Sequence, residues 1–322
     1  MTSPLTDAVD AVVAAFGATA SRDASLAARS TYRVGGSAAV EVVLDSENDL
    51  RRAREVLAGR DVPLLVVGRG SNLLVADRGF PGVVVVLGPH FESVSIGAGP
   101  NASANRVRAG GAAALPVVAR QTVTAGLTGF EWAVGVPGSI GGAVRMNAGG
   151  HGSEMAECLV DVRLVDLGAG VDRRVPVDEL DLSYRHSALE PQDLVVDAVI
   201  ELQPGDPTLG RQAISEIVTW RREHQPGGPN AGSVFTNPPG DSAGRLIDRA
   251  GGRGLRVGTA EVSSKHANFI QADEGGSADD IVALMLEMQA LVVRHAGIHL
   301  VPETRLIGFD PDIFAAPEEA SP

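Results

Sequence analysis

The sequence predicts an α+β protein built from two or three domains. Three observations lead there. The chain has 322 residues, and roughly 150 residues make an ordinary domain. Short apolar runs alternate with amphipathic stretches and group into a β-α-β-β unit ending near residue 88 and a second α and β set after it. The break Pro204-Gly205-Asp206-Pro207 then separates a third set. The expected division is 1–88, 89–204 and 205–309, with 310–322 as an acidic, proline-bearing and disordered tail.

The elements follow in order. Residues 7–16 carry apolar residues at helical spacing, and 38–44 alternate as a strand does. Ser46 and Asp49 form a capping-box pattern ahead of a helix over 50–57. The run 62–67 is a buried type of strand leading straight into Gly68, and 83–87 is the next strand. In the second set, 106–109 is a strand and 113–125 a helix. A glycine-crowded stretch, 126–152, precedes strands at 159–165, 172–177 and 194–202. In the third set, a helix over 208–223 places Ile214, Ile217, Val218 and Trp220 on one side. Strands near Ser233, Val257 and Phe269 interleave with a helix at 242–250. Ser277 and Asp280 cap a helix reaching His295, and 300–309 is the last strand.

Composition narrows the function. Hydrophobic residues make up 44% and charged residues 21%, enough for a substantial core. The net charge of −13 argues against a broad nucleic-acid surface. Any anionic ligand must therefore sit in a local pocket of arginine and backbone N–H groups. Cys158 is the single cysteine, which leaves no disulfide and no cysteine metal cluster. His295 and His299 are four apart, but Gly297 spoils a helical metal face, so no metal site is expected. The start lacks a basic n-region and an h-region, and no apolar run suits a membrane span. The expectation is a cytoplasmic, monomeric protein that takes small molecules, with no nucleic acid and no membrane as partner.

Two glycine-rich segments carry the chemistry. In Gly68-Arg69-Gly70-Ser71-Asn72 a strand delivers small residues whose N–H groups can converge on a phosphate. The Rossmann spacing fails, because the third glycine would fall at Leu73 and no long helix opens there. Val136-Pro137-Gly138-Ser139-Ile140-Gly141-Gly142 is the second segment. A helix starting near Ser139 would aim its N–H groups and its positive dipole end at a diphosphate. Two such loops in separate subdomains suit a long dinucleotide, and a flavin dinucleotide is the expected cofactor.

The ordered motifs resemble one family. Thr31-Tyr32-Arg33-Val34-Gly35-Gly36, the two glycine segments, Met146-Asn147-Ala148-Gly149, Tyr184-Arg185-His186-Ser187, Ala231-Gly232-Ser233-Val234-Phe235-Thr236-Asn237-Pro238 and Pro302-Glu303-Thr304-Arg305 are similar to those of the UDP-N-acetylenolpyruvoylglucosamine reductases. The earlier motifs are shared with the wider vanillyl-alcohol-oxidase (PCMH) type of flavin fold. The resemblance implies a two-subdomain FAD-binding fold plus a C-terminal α+β substrate domain. It also implies NADPH-dependent reduction of an enolpyruvyl UDP-sugar. The short run from Arg185 to Ser233 resembles the branch without a tyrosine-bearing lid.

The resemblance further implies roles. FAD contacts fall on Arg33, Gly68, Arg69, Gly70, Ser71, Asn72, Leu73, Pro137, Gly138, Ser139, Gly141, Gly142, Asn147 and Ala148. Ser233 is the implied proton donor, with Arg185 and Glu303 stabilising an enolate-like state. Arginine suits that task because it stays charged and grips a carboxylate bidentately. Substrate contacts are expected from Asn237, His224, Lys265 and His266. His224 stands where many relatives carry lysine. Arg245, Arg253 and Arg256 are candidates for the uridine diphosphate end, although a solvated surface position is the commoner fate of arginine.

Overall fold

The computed structural model describes residues 3–97 and 103–315. The chain divides into two compact units. The first comprises Met1–Ala24, Ala38–Arg69 and Pro81–Glu223, and the second Ser25–Ser37, Gly70–Phe80 and His224–Pro322.

In the first unit, helix α1 (Pro4–Phe16) opens on Ser3, whose side chain accepts from Thr6 N–H. Helix α2 (Glu47–Leu57) opens on Ser46, which accepts from Asp49 N–H. Asp49 in turn accepts from the Ser46 hydroxyl at 2.7 Å and from Asp45 N–H at 3.3 Å, so the side-chain half of the expected box forms without the bond to the Ser46 N–H. A four-stranded sheet runs in the order Ala20–Ser25, Ser37–Leu44, Phe80–Leu87 and Leu64–Val66. Its last two strands are parallel. Burial on both faces explains the unbroken Val83-Val84-Val85-Val86 run.

A five-stranded antiparallel sheet follows in the order Val171–Pro176, Leu159–Asp166, Asp193–Glu201, Arg106–Gly110 and Val94–Ile96. Helices α3 (Leu115–Thr124) and α4 (Ile140–Arg145) bury Val118, Ala119, Ile140 and Val144 with Val107 and Ile200 of this sheet. Helix α5 (Pro207–His224) lies with the same unit. Ile214 and Ile217 pack on its core, whereas Val218 and Trp220 stay 43% exposed. The apolar side expected of this helix is therefore only half covered.

In the second unit, helices α6 (Ala243–Arg249) and α7 (Ala278–Ala296) enclose a three-stranded meander of Arg256–Val257, Ala260–Val262 and Ile270–Ala272. Ser277 caps α7 as its spacing predicts. Asp280 does not close the box: its carboxylate accepts instead from Thr259 N–H and Oγ1, both at 2.8 Å. The expected strand over 300–309 shrinks to Arg305–Ile307, which pairs in parallel with Leu73–Val75. The disorder expected from residue 310 does not extend to 310–315. Ile313 and Phe314 pack on the core, and the Phe314 ring lies edge-on to Phe235 at 6.4 Å. The rest of that tail, from 316, lies outside the described residues.

Candidate functional site

The first glycine segment leaves the strand Leu64–Val66 and keeps its N–H groups open. Among the described residues, the N–H groups of Arg69, Gly70, Ser71 and Asn72 donate to no protein acceptor. Gly70 has φ 61°, and a Cβ there would stand 1.8 Å from the Arg29 carbonyl oxygen. Only glycine allows this approach. Its carbonyl accepts from Thr31 N–H at 3.1 Å, which ties the Thr31-Tyr32-Arg33 segment to the loop. Arg33 and Arg69 are exposed, and neither makes an ion pair among the described residues. Open N–H groups with two uncompensated guanidinium groups suit a diphosphate.

The second segment meets the first within the same unit. A Cβ on Gly68 would fall 2.6 Å from Ser139 Oγ. The helix-dipole expectation needs correction, however. α4 has six residues and its first N–H groups are already used. Ile140 N–H donates to Ala113 O and Gly141 N–H to Gly111 O, both at 2.9 Å. Gly142 N–H donates to Ser139 Oγ at 3.4 Å. Ser139 bridges Ala114 as an antiparallel partner, and Leu115 N–H donates to Gly138 O. In that pattern the Ser139 N–H points away from the pair and stays open. The segment is a backbone-braced wall beside the first loop.

Asn147 is fully buried with φ 38°. Its Nδ2 donates to Ser183 O at 3.0 Å and its Oδ1 accepts from Ala156 N–H at 2.9 Å. Ala148 N–H donates to Ala143 O, and its carbonyl accepts from Met155 N–H. These residues brace the turn beneath Gly149–Gly150. Leu73 is buried in the strand Leu73–Val75, and Pro137 is exposed.

Arg185 has φ 58°, a left-handed backbone that is uncommon for a side-chain-bearing residue. Its Nη2 donates to Gly149 O at 3.0 Å, and the guanidinium lies 5.0 Å from the Tyr184 ring centroid. The structure thus brings Arg185 onto the glycine-rich turn that follows Asn147. Strain of about 1–3 kcal/mol held at such a position is a mark of functional sites.

Ser233 does not open a strand, contrary to expectation. It lies in an irregular run before an isolated bridge between Phe235 and Pro302. Its hydroxyl makes no hydrogen bond among the described residues. Its backbone neighbours are pinned: Val234 N–H donates to Asn268 O at 2.9 Å, and Glu303 N–H donates to Val234 O at 2.8 Å. The motifs of Ser233 and Glu303, far apart in sequence, are therefore adjacent within the second unit. Asn72 joins them. Its Nδ2 donates to Glu303 O at 3.0 Å, and its carbonyl accepts from Arg305 N–H.

Asn237 is exposed and accepts from Ala243 N–H at 3.1 Å, at the start of α6. His266 accepts at Nδ1 from Asn268 N–H at 3.2 Å and lies edge-on to Phe269 at 4.7 Å. Burial, with the charges of Arg253 and His224 nearby, pushes its pKa below the usual histidine value. A neutral ring accepting at Nδ1 carries its proton on Nε2. Lys265 and His224 are exposed. The three arginines considered for a diphosphate are ion-paired: Arg245 with Asp241, Arg253 with Asp248, and Arg256 with Glu261 and Asp273. Sequence reading gave Asn268 no role, although it touches both the Ser233 run and His266. Its only signal was its place in Lys265-His266-Ala267-Asn268-Phe269.

Among the described residues no helix is long and apolar enough to cross a membrane, and no group of three His, Cys, Asp or Glu side chains could hold a metal ion. Comparison with known proteins fits this geometry. The FAD binding domain family matches residues 38–173. The C-terminal domain of UDP-N-acetylenolpyruvoylglucosamine reductase matches residues 224–307. The UDP-N-acetylenolpyruvoylglucosamine reductase of Heliobacterium modesticaldum is 44% identical over 86% of this chain and 87% of its own. That of Synechococcus sp. (strain RCC307) is 40% identical over 89% and 93%. The crystal structure of UDP-N-acetylenolpyruvylglucosamine reductase (MurB) from Thermus caldophilus is similar with a TM-score of 0.76 and 32% identity, covering 89% of this chain and 98% of that one. Fold and site together define an FAD-binding oxidoreductase. The chain belongs to the UDP-N-acetylenolpyruvoylglucosamine reductase family.

Proposed function

We propose that the protein reduces UDP-N-acetylenolpyruvoylglucosamine to UDP-N-acetylmuramate, with NADPH as reductant, in peptidoglycan synthesis. In this reading it works as a cytoplasmic monomer. Segments 1–88 and 89–204 hold the cofactor, and 205–309 the substrate. Arg33, Gly68 to Leu73, Pro137, Gly138, Ser139, Gly141, Gly142 and the Asn147-Ala148 turn hold FAD. Bound FAD supplies the hydride chemistry.

The protein's own residues then have three tasks. Reduction of the alkene places negative charge on the carbon beside the substrate carboxylate. Arg185 and Glu303 stabilise that enolate-like state, the arginine by charge and the glutamate by hydrogen bonding. Ser233 delivers the proton. A hydroxyl is a weak acid, so it must be held within hydrogen-bond reach of the carbon. His224, Asn237, Lys265 and His266 contact the UDP-sugar, with His266 presenting its Nε2–H as a neutral donor.

One observation carries the reading. The Ser233 hydroxyl has no protein partner among the described residues, while the backbone on its C-terminal side is bonded to Asn268 and to Glu303. A fixed donor with an unused proton, on backbone bonded to that of Glu303, is what protonation of a carbon requires. The test is NADPH consumption by the holoenzyme with and without the enolpyruvyl sugar. Ser233→Ala is expected to leave flavin reduction by NADPH unchanged and to slow reoxidation by substrate about 10²–10⁴-fold. Turnover by wild type on an alcohol, with none on the enolpyruvyl sugar, would overturn the assignment.

A further inference from the structure

We propose that Asn268 is a positioning residue for the Ser233 proton donor, a role that rests on the reading of Ser233 given above. Asn268 is buried, with 2% of its surface exposed. Its side chain holds the Phe235 peptide from both sides. Phe235 N–H donates to Oδ1 at 3.1 Å, and Nδ2 donates to Phe235 O at 2.8 Å. Its main-chain carbonyl accepts from Val234 N–H at 2.9 Å. Its own N–H donates to His266 Nδ1 at 3.2 Å.

The first three of these bonds replace a strand for Val234 and Phe235. Ser233 precedes Val234 without any ladder partner of its own, and Gly232 before it has φ 76°. Before Ser233 the chain makes a local bond, from Gly232 N–H to Asn230 Oδ1 at 3.1 Å, and after it the chain is bonded to distant segments. Fixation comes from Val234 and Phe235: three of their backbone groups meet Asn268, and Val234 O accepts from Glu303 N–H. An asparagine is suited to this because its amide presents a donor and an acceptor at the spacing of a peptide group. A side chain of similar volume without the Nδ2–H would leave Phe235 O buried and unpaired. The same residue orients the His266 ring through its N–H, so the serine and one expected substrate contact share a single support.

The inference predicts a defect confined to one step. Misplacement of a reacting group by about 1 Å can cost about 10²-fold in rate. In Asn268→Ala holoenzyme, reduction of FAD by NADPH should proceed at the wild-type rate. Reoxidation by UDP-N-acetylenolpyruvoylglucosamine should slow about 10²-fold. The double variant Ser233→Ala/Asn268→Ala should reoxidise within about threefold of Ser233→Ala, because a group that acts only through the serine adds nothing once the serine is gone. Asn268→Asp, which keeps the volume and the acceptor for Phe235 N–H but leaves Phe235 O without its donor, should show a loss of similar size in the same step.

Rate losses that multiply in the double variant would overturn the proposal, as would equal slowing of both half-reactions. Failure of both Asn268 variants to fold or to retain FAD would also overturn it, since Asn268 would then hold the whole unit. A Ser233→Ala protein that reoxidises at the wild-type rate would instead remove the role assigned to Ser233 itself.

Discussion

Replacing Gly70 by alanine separates two costs that glycine avoids in the first loop. The residue has φ 61°, and its Cβ would stand 1.8 Å from Arg29 O and 2.9 Å from Ser30 Cα. The left-handed backbone alone costs about 1–2 kcal/mol for a residue with a Cβ. The clash is with main-chain atoms, so no side-chain rotation relieves it, and the loop must move. Movement breaks the bond from Thr31 N–H to Gly70 O at 3.1 Å, worth about 1 kcal/mol net. Together these give a loss of about 2–3 kcal/mol before any further strain. Gly59→Ala is the control. Gly59 has φ 71°, but nothing lies within 4 Å of its Cβ position, so only about 1–2 kcal/mol is expected. Urea unfolding of the apoprotein gives both values. FAD titration should then show far weaker binding for Gly70→Ala than for Gly59→Ala, because the four open N–H groups lose their arrangement. Equal losses of stability in the two variants would refute the argument from close approach. Normal FAD affinity in Gly70→Ala would refute the assignment of this loop to the cofactor.

Two further outcomes are expected. Asp77 accepts from Ser277 Oγ at 2.6 Å, Ala278 N–H at 3.0 Å and Asp279 N–H at 3.2 Å, which anchors the start of α7; Asp77→Ala should lower stability by about 1–2 kcal/mol in urea unfolding, and Asp77→Asn by less. His266 has a pKa below 6.5 in the fold, so the unfolded chain binds the proton more readily, and its contribution, complete above pH 6.5, is lost as pH falls toward the folded value. The difference in unfolding free energy between wild type and His266→Gln should therefore be constant above that pH and shrink below it; a flat difference down to acid pH would refute this.

What the sequence reveals about this fold is what neighbours in sequence decide. Ser46 and Ser277 cap helices as their spacing predicts, because a cap is settled within one turn. The partner of Asp280 is Thr259, and nothing near residue 280 announces it. The strand Leu73–Val75 exists through its pairing with Arg305–Ile307. No local pattern supplies that contact. Arg245, Arg253 and Arg256 read in isolation as phosphate ligands, but acids brought close by short turns and the meander neutralise them.

The candidate site divides along the same line. Its glycines are legible because φ and close approach leave a residue-type signature, as at Gly70. The use of the helix at Ser139 is not legible, because Gly111 and Ala113 consume its N–H groups from a distant turn. That difference changes how an anion would be held. A helix dipole attracts charge without specifying where each oxygen sits, whereas separately open N–H groups at Arg69, Gly70, Ser71 and Asn72 fix individual acceptors. Asn72 also bonds Glu303 O and Arg305 N–H. Its neighbours in the first loop carry open N–H groups, and its own side chain bonds the main-chain carbonyl of Glu303, just before the strand Arg305–Ile307. An Asn72→Ala change should for that reason disturb substrate reoxidation of the flavin as well as FAD affinity, a coupling that a purely cofactor-binding asparagine would not show.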